Sequence, residues 1–291
     1  MASISDLERR FGIPGVLRVE AGSGGLPRVL VTSELAAAEM YLHGAHLTQF
    51  QPRGAKPVLF MSQESLFETN KPIRGGVPVC FPWFGPKAGS PESPAHGFAR
   101  IRDWELESCA RQPDGTVRVA FALDSDESAL RLSFGIGPSL EMDFEVRAKT
   151  ALRFEEALHT YFAVGDVRQV GVEGLEKVEY LDKTDSSRRK TQPPEPIRIT
   201  GETDRIYLET RSACVLRDPV LGRTIRIAKE GSDTTVVWNP WIAKAKAMAD
   251  FGDDEWPGMV CVETANVGDS AVRLQAGQTH RMKVRIALDP A

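Results

Sequence analysis

Residues 139–150 read SLEMDFEVRAKT. In an extended chain Leu140, Met142, Phe144 and Val146 fall on one side, and Glu141, Asp143, Glu145 and Arg147 on the other. Alternation with a period of two predicts an antiparallel strand with one face in a core and one in water. The segment before it, TVRVAFALDS (116–125), repeats the pattern with Val117, Val119, Phe121 and Leu123. Working outward, ALRFEEALHTYFAV (151–164), RIYLET, ACVLRD, RTIRIAKE, TTVVWNP, GMVCVETANV, AVRLQA and HRMKVRIAL follow. LRVEAG, RVLVTS and AAAEMYLHGAHLTQFQP precede it. All are short, rich in β-branched or aromatic residues, and separated by Gly, Pro, Asp or Ser. About a dozen or more such strands without intervening long helices predict an all-β sandwich rather than a βαβ fold.

Two helices are expected. SDLERRFG (5–12) has Ser5 as a candidate cap and Gly12 as a stop, with too few apolar residues for core, so residues 1–14 read as an N-terminal helical appendage. IAKAKAMADF (242–251) reads as one or two turns between strands. SSRRKTQPPEPIRI (186–199) reads as a long exposed loop, and composition does not change across it, so 1–291 is expected to form one domain.

The chain of 291 residues is 42% hydrophobic and 26% charged, with a net charge of -4. That composition buries a substantial core and gives no global basic field for nucleic acid or anionic lipid. A phosphate ligand would need a local cluster of cations. Cys80, Cys109, Cys214 and Cys261 lie far apart, without the short paired spacing of metal sites. MASISDLERRFG carries charge where a signal peptide needs an apolar run, and no later segment is long enough to span a bilayer. A reducing, cytoplasmic setting with no membrane partner is therefore expected.

Lys71–Arg102, KPIRGGVPVCFPWFGPKAGSPESPAHGFARIR, is too rich in Gly and Pro for regular structure, yet carries Val77, Val79, Phe81, Trp83 and Phe84. A long loop anchored by aromatics and supplied with Arg74, His96 and Arg100 suits chemistry or an anion; a structural loop with surface arginines fits equally well. His159 falls on the polar side of its strand beside Tyr161, where packing does not need it, or else it is simply a solvent-facing histidine. Glu263 ends a strongly β-prone run with Met259 and Cys261 on its own face. A carboxylate there is costly to bury unless paired or used, although it could point to water. Trp238 and Trp241 suit a sugar platform or a core. Lys244 and Lys246 read as helix surface, and Asp250, Asp253, Asp254 and Glu255 as a solvated turn. His43 and His46 are three apart, but no motif positions a third ligand, so no metal is expected.

Five ordered segments, IRGGVPVCFPWFGP, HGFAR, LHTYF, VVWNPWIAKAKAMADFGDDEW and VCVETANV, together resemble the glucose-6-phosphate 1-epimerases, or hexose-6-phosphate mutarotases, of the aldose 1-epimerase superfamily. The similarity runs from about Tyr41 to the final strand. It implies a galactose mutarotase-like β-supersandwich of mainly antiparallel strands, working on a small sugar phosphate without a cofactor; a monomer is expected. By motif, the catalytic residues fall on His159 and Glu263, and substrate contacts on Arg74, His96, Arg100 and Asp204, the two arginines serving the phosphate. Many relatives carry Gln immediately before the His-Gly pair; this chain has Ala95. The implied reaction is α/β anomer interconversion of a hexose 6-phosphate by ring opening and reclosure, with Glu263 as base on O1 and His159 as acid on O5. The alternatives are an aldose 1-epimerase for unphosphorylated hexoses and a non-catalytic carbohydrate-binding protein.

Overall fold

A computed structural model describes residues 2–289. Two large antiparallel sheets dominate it. One runs in spatial order 171–173, 214–218, 223–230, 279–289, 139–148, 128–136, 117–124 and 105–111. Its Ser139–Ala148 strand pairs residue for residue with Ser128–Ile136 and Thr279–Asp289. Leu140, Met142, Phe144 and Val146 are buried, as the alternation predicts.

The second sheet carries the site. Its order is 188–191, 179–182, 203–207, 234–239, 259–266, 156–158 and 79–80, with 161–163 also pairing against 259–266. A four-stranded sheet formed by residues 17–52 and a two-stranded pair (152–154 with 272–274) complete the β structure. One continuous cluster of buried apolar side chains joins the sheets. No helix among the described residues is long and apolar enough to cross a membrane.

Four expectations change. The first helix spans Ile4–Phe11 with Ser3, not Ser5, as its cap, because the Ser3 hydroxyl accepts from Asp6 N. Leu7 and Phe11 are buried in the main core, so the helix is packed rather than appended. The second helix is Trp241–Ala247, shorter and one residue earlier than expected. Within 186–199, Arg188–Thr191 forms an edge strand, and Ile197 and Ile199 are buried.

The fourth change shapes the site. The 151–164 segment is not one strand; it breaks into Leu152–Phe154, Glu156–Leu158 and Tyr161–Ala163. At the break His159 N donates to Pro78 O (3.0 Å) and Tyr161 N to Gly76 O (2.9 Å), so the Lys71–Arg102 loop takes over the ladder. Phe81 fixes that loop to the core, packing edge-on against Phe98 and Phe144 and tilted against Phe154 at centroid distances of 5.9, 6.1 and 5.2 Å.

Candidate active site

The site is a patch on one face of the second sheet, and its membership follows from strand register. Leu158 lies opposite Thr264 and Tyr161 opposite Cys261, which places His159 opposite Glu263. Directly opposed residues of an antiparallel pair project to the same face. On the other side Val236 opposes Glu263, Trp238 opposes Cys261, and Asp204 opposes Trp238. Two adjacent rows result: Asp204, Trp238, Cys261, Tyr161, and beside them Val236, Glu263, His159. All eight residues of Met259–Asn266 are buried, so Glu263 is mid-strand and 1% exposed, not a strand-end carboxylate facing water.

Above this patch is a cavity of about 390 Å³, walled by Arg74, His96, His159, Lys183, Asp204 and Glu263 among others. A somewhat larger hollow of about 440 Å³ near Arg198, Arg217 and Arg223 contains no histidine and brings no acid–base pair together. His159 Nε2 lies 3.4 Å from Glu263 Oε1. Its ring stacks on Tyr161 (4.8 Å, 12° between planes) and stands edge-on to Trp238 at 6.0 Å. Neither Glu263 oxygen has a hydrogen-bond partner, and neither has His159 Nδ1.

The distance would permit an ion pair, but the environment opposes one. Burial, reinforced by Asp204 and only partly countered by Lys183 and Arg100, holds the Glu263 carboxyl well above its ordinary range. Burial, followed by the Arg100 and Arg74 charges, holds His159 well below its ordinary value. Each shift is toward the group's neutral form. Burial likewise raises Asp204, against the pull of Lys183 and Lys244.

His96 sits on the wall at φ +63, a conformation uncommon outside glycine, with its ring 5.7 Å from that of His159. Its N donates to Gly85 O (2.8 Å), and Gly85 N donates back to His96 Nδ1 (3.3 Å). Arg74 Nε and Nη2 donate to Asp250 Oδ2 (3.2 and 3.0 Å), and Nη1 donates to Tyr161 OH (3.0 Å). Asp250 is thus an ion-pair partner rather than part of a solvated turn.

Arg100 is the predicted site residue that does not reach the wall. It is 8% exposed and donates from Nη2 to Ala95 O (2.8 Å), with Nε unpartnered. Its charge still acts on His159 and Glu263. Replacing Arg100 with Met should therefore move the His159 titration upward, and with it the acid limb of any activity profile; histidine NMR titration in both proteins checks this. An unmoved resonance would deny Arg100 that influence.

No sequence motif marks Lys183. It follows the Glu179–Asp182 strand, in the first position of a single 3₁₀ turn, and lines the cavity. No carboxylate lies within 4.0 Å of it among the described residues, whereas Lys244 is 3.0 Å from Glu202 and Arg74 is bound to Asp250. Lys244, read as helix surface, also lines the cavity because Asn239 turns the chain there: its Nδ2 donates to Trp256 O and Met259 O (both 2.9 Å), and its Oδ1 accepts from Trp241 N (2.9 Å). His43 and His46 form no metal pair. His43 bonds Asp103 (3.0 Å) and Lys71 O (2.8 Å), and His46 Nε2 bonds Gly75 O (2.8 Å).

A sequence model of the aldose 1-epimerase family matches residues 27–287. A protein of Cenchrus ciliaris, provisionally named a glucose-6-phosphate 1-epimerase, is 34% identical over 292 residues, covering 94% of this chain and 88% of its own. One of Escherichia coli K12, provisionally given the same name, is 35% identical over 254 residues, covering 84% and 85%. The crystal structure of YeaD from Salmonella typhimurium, provisionally described as a mutarotase, superposes with a TM-score of 0.90 at 30% identity over 97% of this chain and 96% of YeaD.

Proposed function

The chain belongs to the aldose 1-epimerase family, and from that premise we propose that it interconverts the α and β anomers of a hexose 6-phosphate, glucose 6-phosphate foremost. The observation that carries this reading is the buried His159–Glu263 pair, 3.4 Å apart and opposed in register on the wall of a cavity that also offers cations. Anomer exchange needs one group to take the O1 proton and another to protonate O5, so that the C1–O5 bond breaks. The aldehyde then rotates about C1–C2 and recloses with both transfers reversed. Glu263 is the base toward O1 and His159 the acid toward O5.

The pair's proton preference suits this cycle. The closed sugar requires carboxylate and imidazolium; the open aldehyde leaves a protonated carboxyl and a neutral imidazole. Burial favours the second arrangement, so the site supports the ring-opened stage. Sugar hydroxyls donating to the unpartnered Glu263 oxygens supply the hydrogen bonds that a carboxylate requires to bind the closed form.

For the phosphate, the wall offers Arg74, Lys183 and Lys244, the last already paired with Glu202, with Arg100 adding its field from behind. His96 and Asp204 hold sugar hydroxyls. Lys183→Ala is expected to raise KM for glucose 6-phosphate by about 10–100-fold, the value of one charge-assisted contact, with little effect on an unphosphorylated hexose. Equal effects on both substrates would remove Lys183 from the phosphate.

Magnetisation-transfer NMR of glucose 6-phosphate tests the reaction directly. Wild type should exchange anomers far faster than buffer, and His159→Ala should return the rate toward the spontaneous one. Fast exchange of galactose but not glucose 6-phosphate would instead favour the unphosphorylated substrate.

A further inference from the structure

Cys261 is a fully buried member of the core that the proposed proton transfers do not use, yet it stands in the site's own rows. It is two residues before Glu263 on the same face and opposite Tyr161, diagonal to His159. One ligand atom each from His159, Cys261 and Glu263 all lie within 4.8 Å of one another, and all three residues are buried. Three features make this more than a chance grouping. The carboxylate oxygens are both unpartnered at 1% exposure, so the cluster holds donor atoms with unused lone pairs. The 3.4 Å separation of Nε2 and Oε1 matches the edge of a zinc tetrahedron, ~3.3–3.7 Å for bonds of about 2.0–2.3 Å. Cys261 and Glu263 sit on one paired, buried strand, and His159 is held in the break opposite it by its N–H to Pro78 O (3.0 Å), so little chain entropy is lost on convergence.

We propose that His159, Cys261 and Glu263 form a binding site for a borderline-soft divalent cation of the zinc class, and that its occupancy switches the enzyme off. The donor set of one imidazole, one thiolate and one carboxylate suits zinc or cobalt and disfavours magnesium, which requires an octahedron of hard oxygens. His159 and Glu263 line the cavity, which gives the ion its route in, while Cys261 is fully buried and does not line it. The thiol proton, and the carboxyl proton where present, go to solvent as the metal binds. The bound ion occupies the lone pairs of both the acid and the base, so neither can exchange a proton with sugar. The metal site rests on geometry alone; the loss of activity rests on the acid–base reading above.

Two measurements on the full chain separate these. Cobalt(II) added to the wild type should produce a thiolate-to-cobalt charge-transfer band in the near ultraviolet, absent in Cys261→Ala and in the near-isosteric Cys261→Ser. Signals from Cys80, Cys109 or Cys214 would persist in both variants. Zinc(II) should inhibit wild-type anomer exchange, reversibly with chelator, while magnesium(II) does not. Both variants should require at least about tenfold more zinc for half inhibition, as expected for loss of a ligand. Equal zinc sensitivity in wild type and variants, or a cobalt spectrum that the substitutions leave unchanged, would overturn the site. A Cys261-dependent band with undiminished exchange under zinc would keep the site and overturn the switch.

Discussion

Glu263→Gln is expected to slow anomer exchange by about 10²–10⁴-fold, the usual contribution of one positioned proton-transfer group, and to make the protein more stable above neutral pH. Both effects come from one burial. The carboxyl is 1% exposed, with no partner for either oxygen, and its folded-state pKa is held above its unfolded value, first by burial and then by Asp204. A group of that sign leaves stability intact below the unfolded value and withdraws it as pH rises through the folded one. Wild type and Glu263→Gln should therefore melt together near pH 4 and diverge progressively at higher pH, with the variant higher. Melting curves between pH 4 and 9, beside exchange rates by NMR, check both halves. A variant that is inactive but no more stable at alkaline pH would mean that Glu263 is satisfied in the fold by something other than its protonation.

Gly97→Ala should cost about 3 kcal/mol or more, and with it the geometry of His96. Gly97 has φ +77, and a β-carbon there would run into the Phe81 carbonyl and lie 2.7 Å from Pro82 N. That carbonyl cannot move aside. It accepts from Phe98 N (2.9 Å) and Ala99 N (3.3 Å), and the Phe81 ring is locked among Phe98, Phe144 and Phe154. The left-handed backbone alone accounts for about 1–2 kcal/mol; the collision supplies the rest. Gly25→Ala is the control, because it shares the backbone conformation (φ +73) but meets nothing within 4 Å. Thermal melts should place Gly97→Ala on the order of 10 °C below wild type and Gly25→Ala only a few degrees below. Equal losses would show that the loop yields and that the crowding at Phe81 is relieved elsewhere.

The alternating strands were legible because a half-buried sheet writes its period directly into the chain, as in Leu140–Val146. Family motifs likewise located His159, Glu263, Arg74, His96 and Asp204, which the structure brings to one cavity. Lys183 left no local signal: it follows an ordinary polar strand end, and only the pairing of 179–182 with 203–207 carries it to the site. Arg100 shows the converse. Its motif implied a substrate contact, but the turn at Ala99–Ile101 sets its guanidinium behind the wall, against Ala95 O.

Fold class, the strands and the acid–base residue types are local properties, since side-chain period and composition are carried by neighbours in the chain. The opposition of His159 to Glu263, the push of both groups toward neutrality, and the placing of Cys261 beside them are not. They depend on register between strands about a hundred residues apart and on burial by a loop from elsewhere in the chain. Register and desolvation are properties of pairs and enclosures, and no single stretch of sequence contains them.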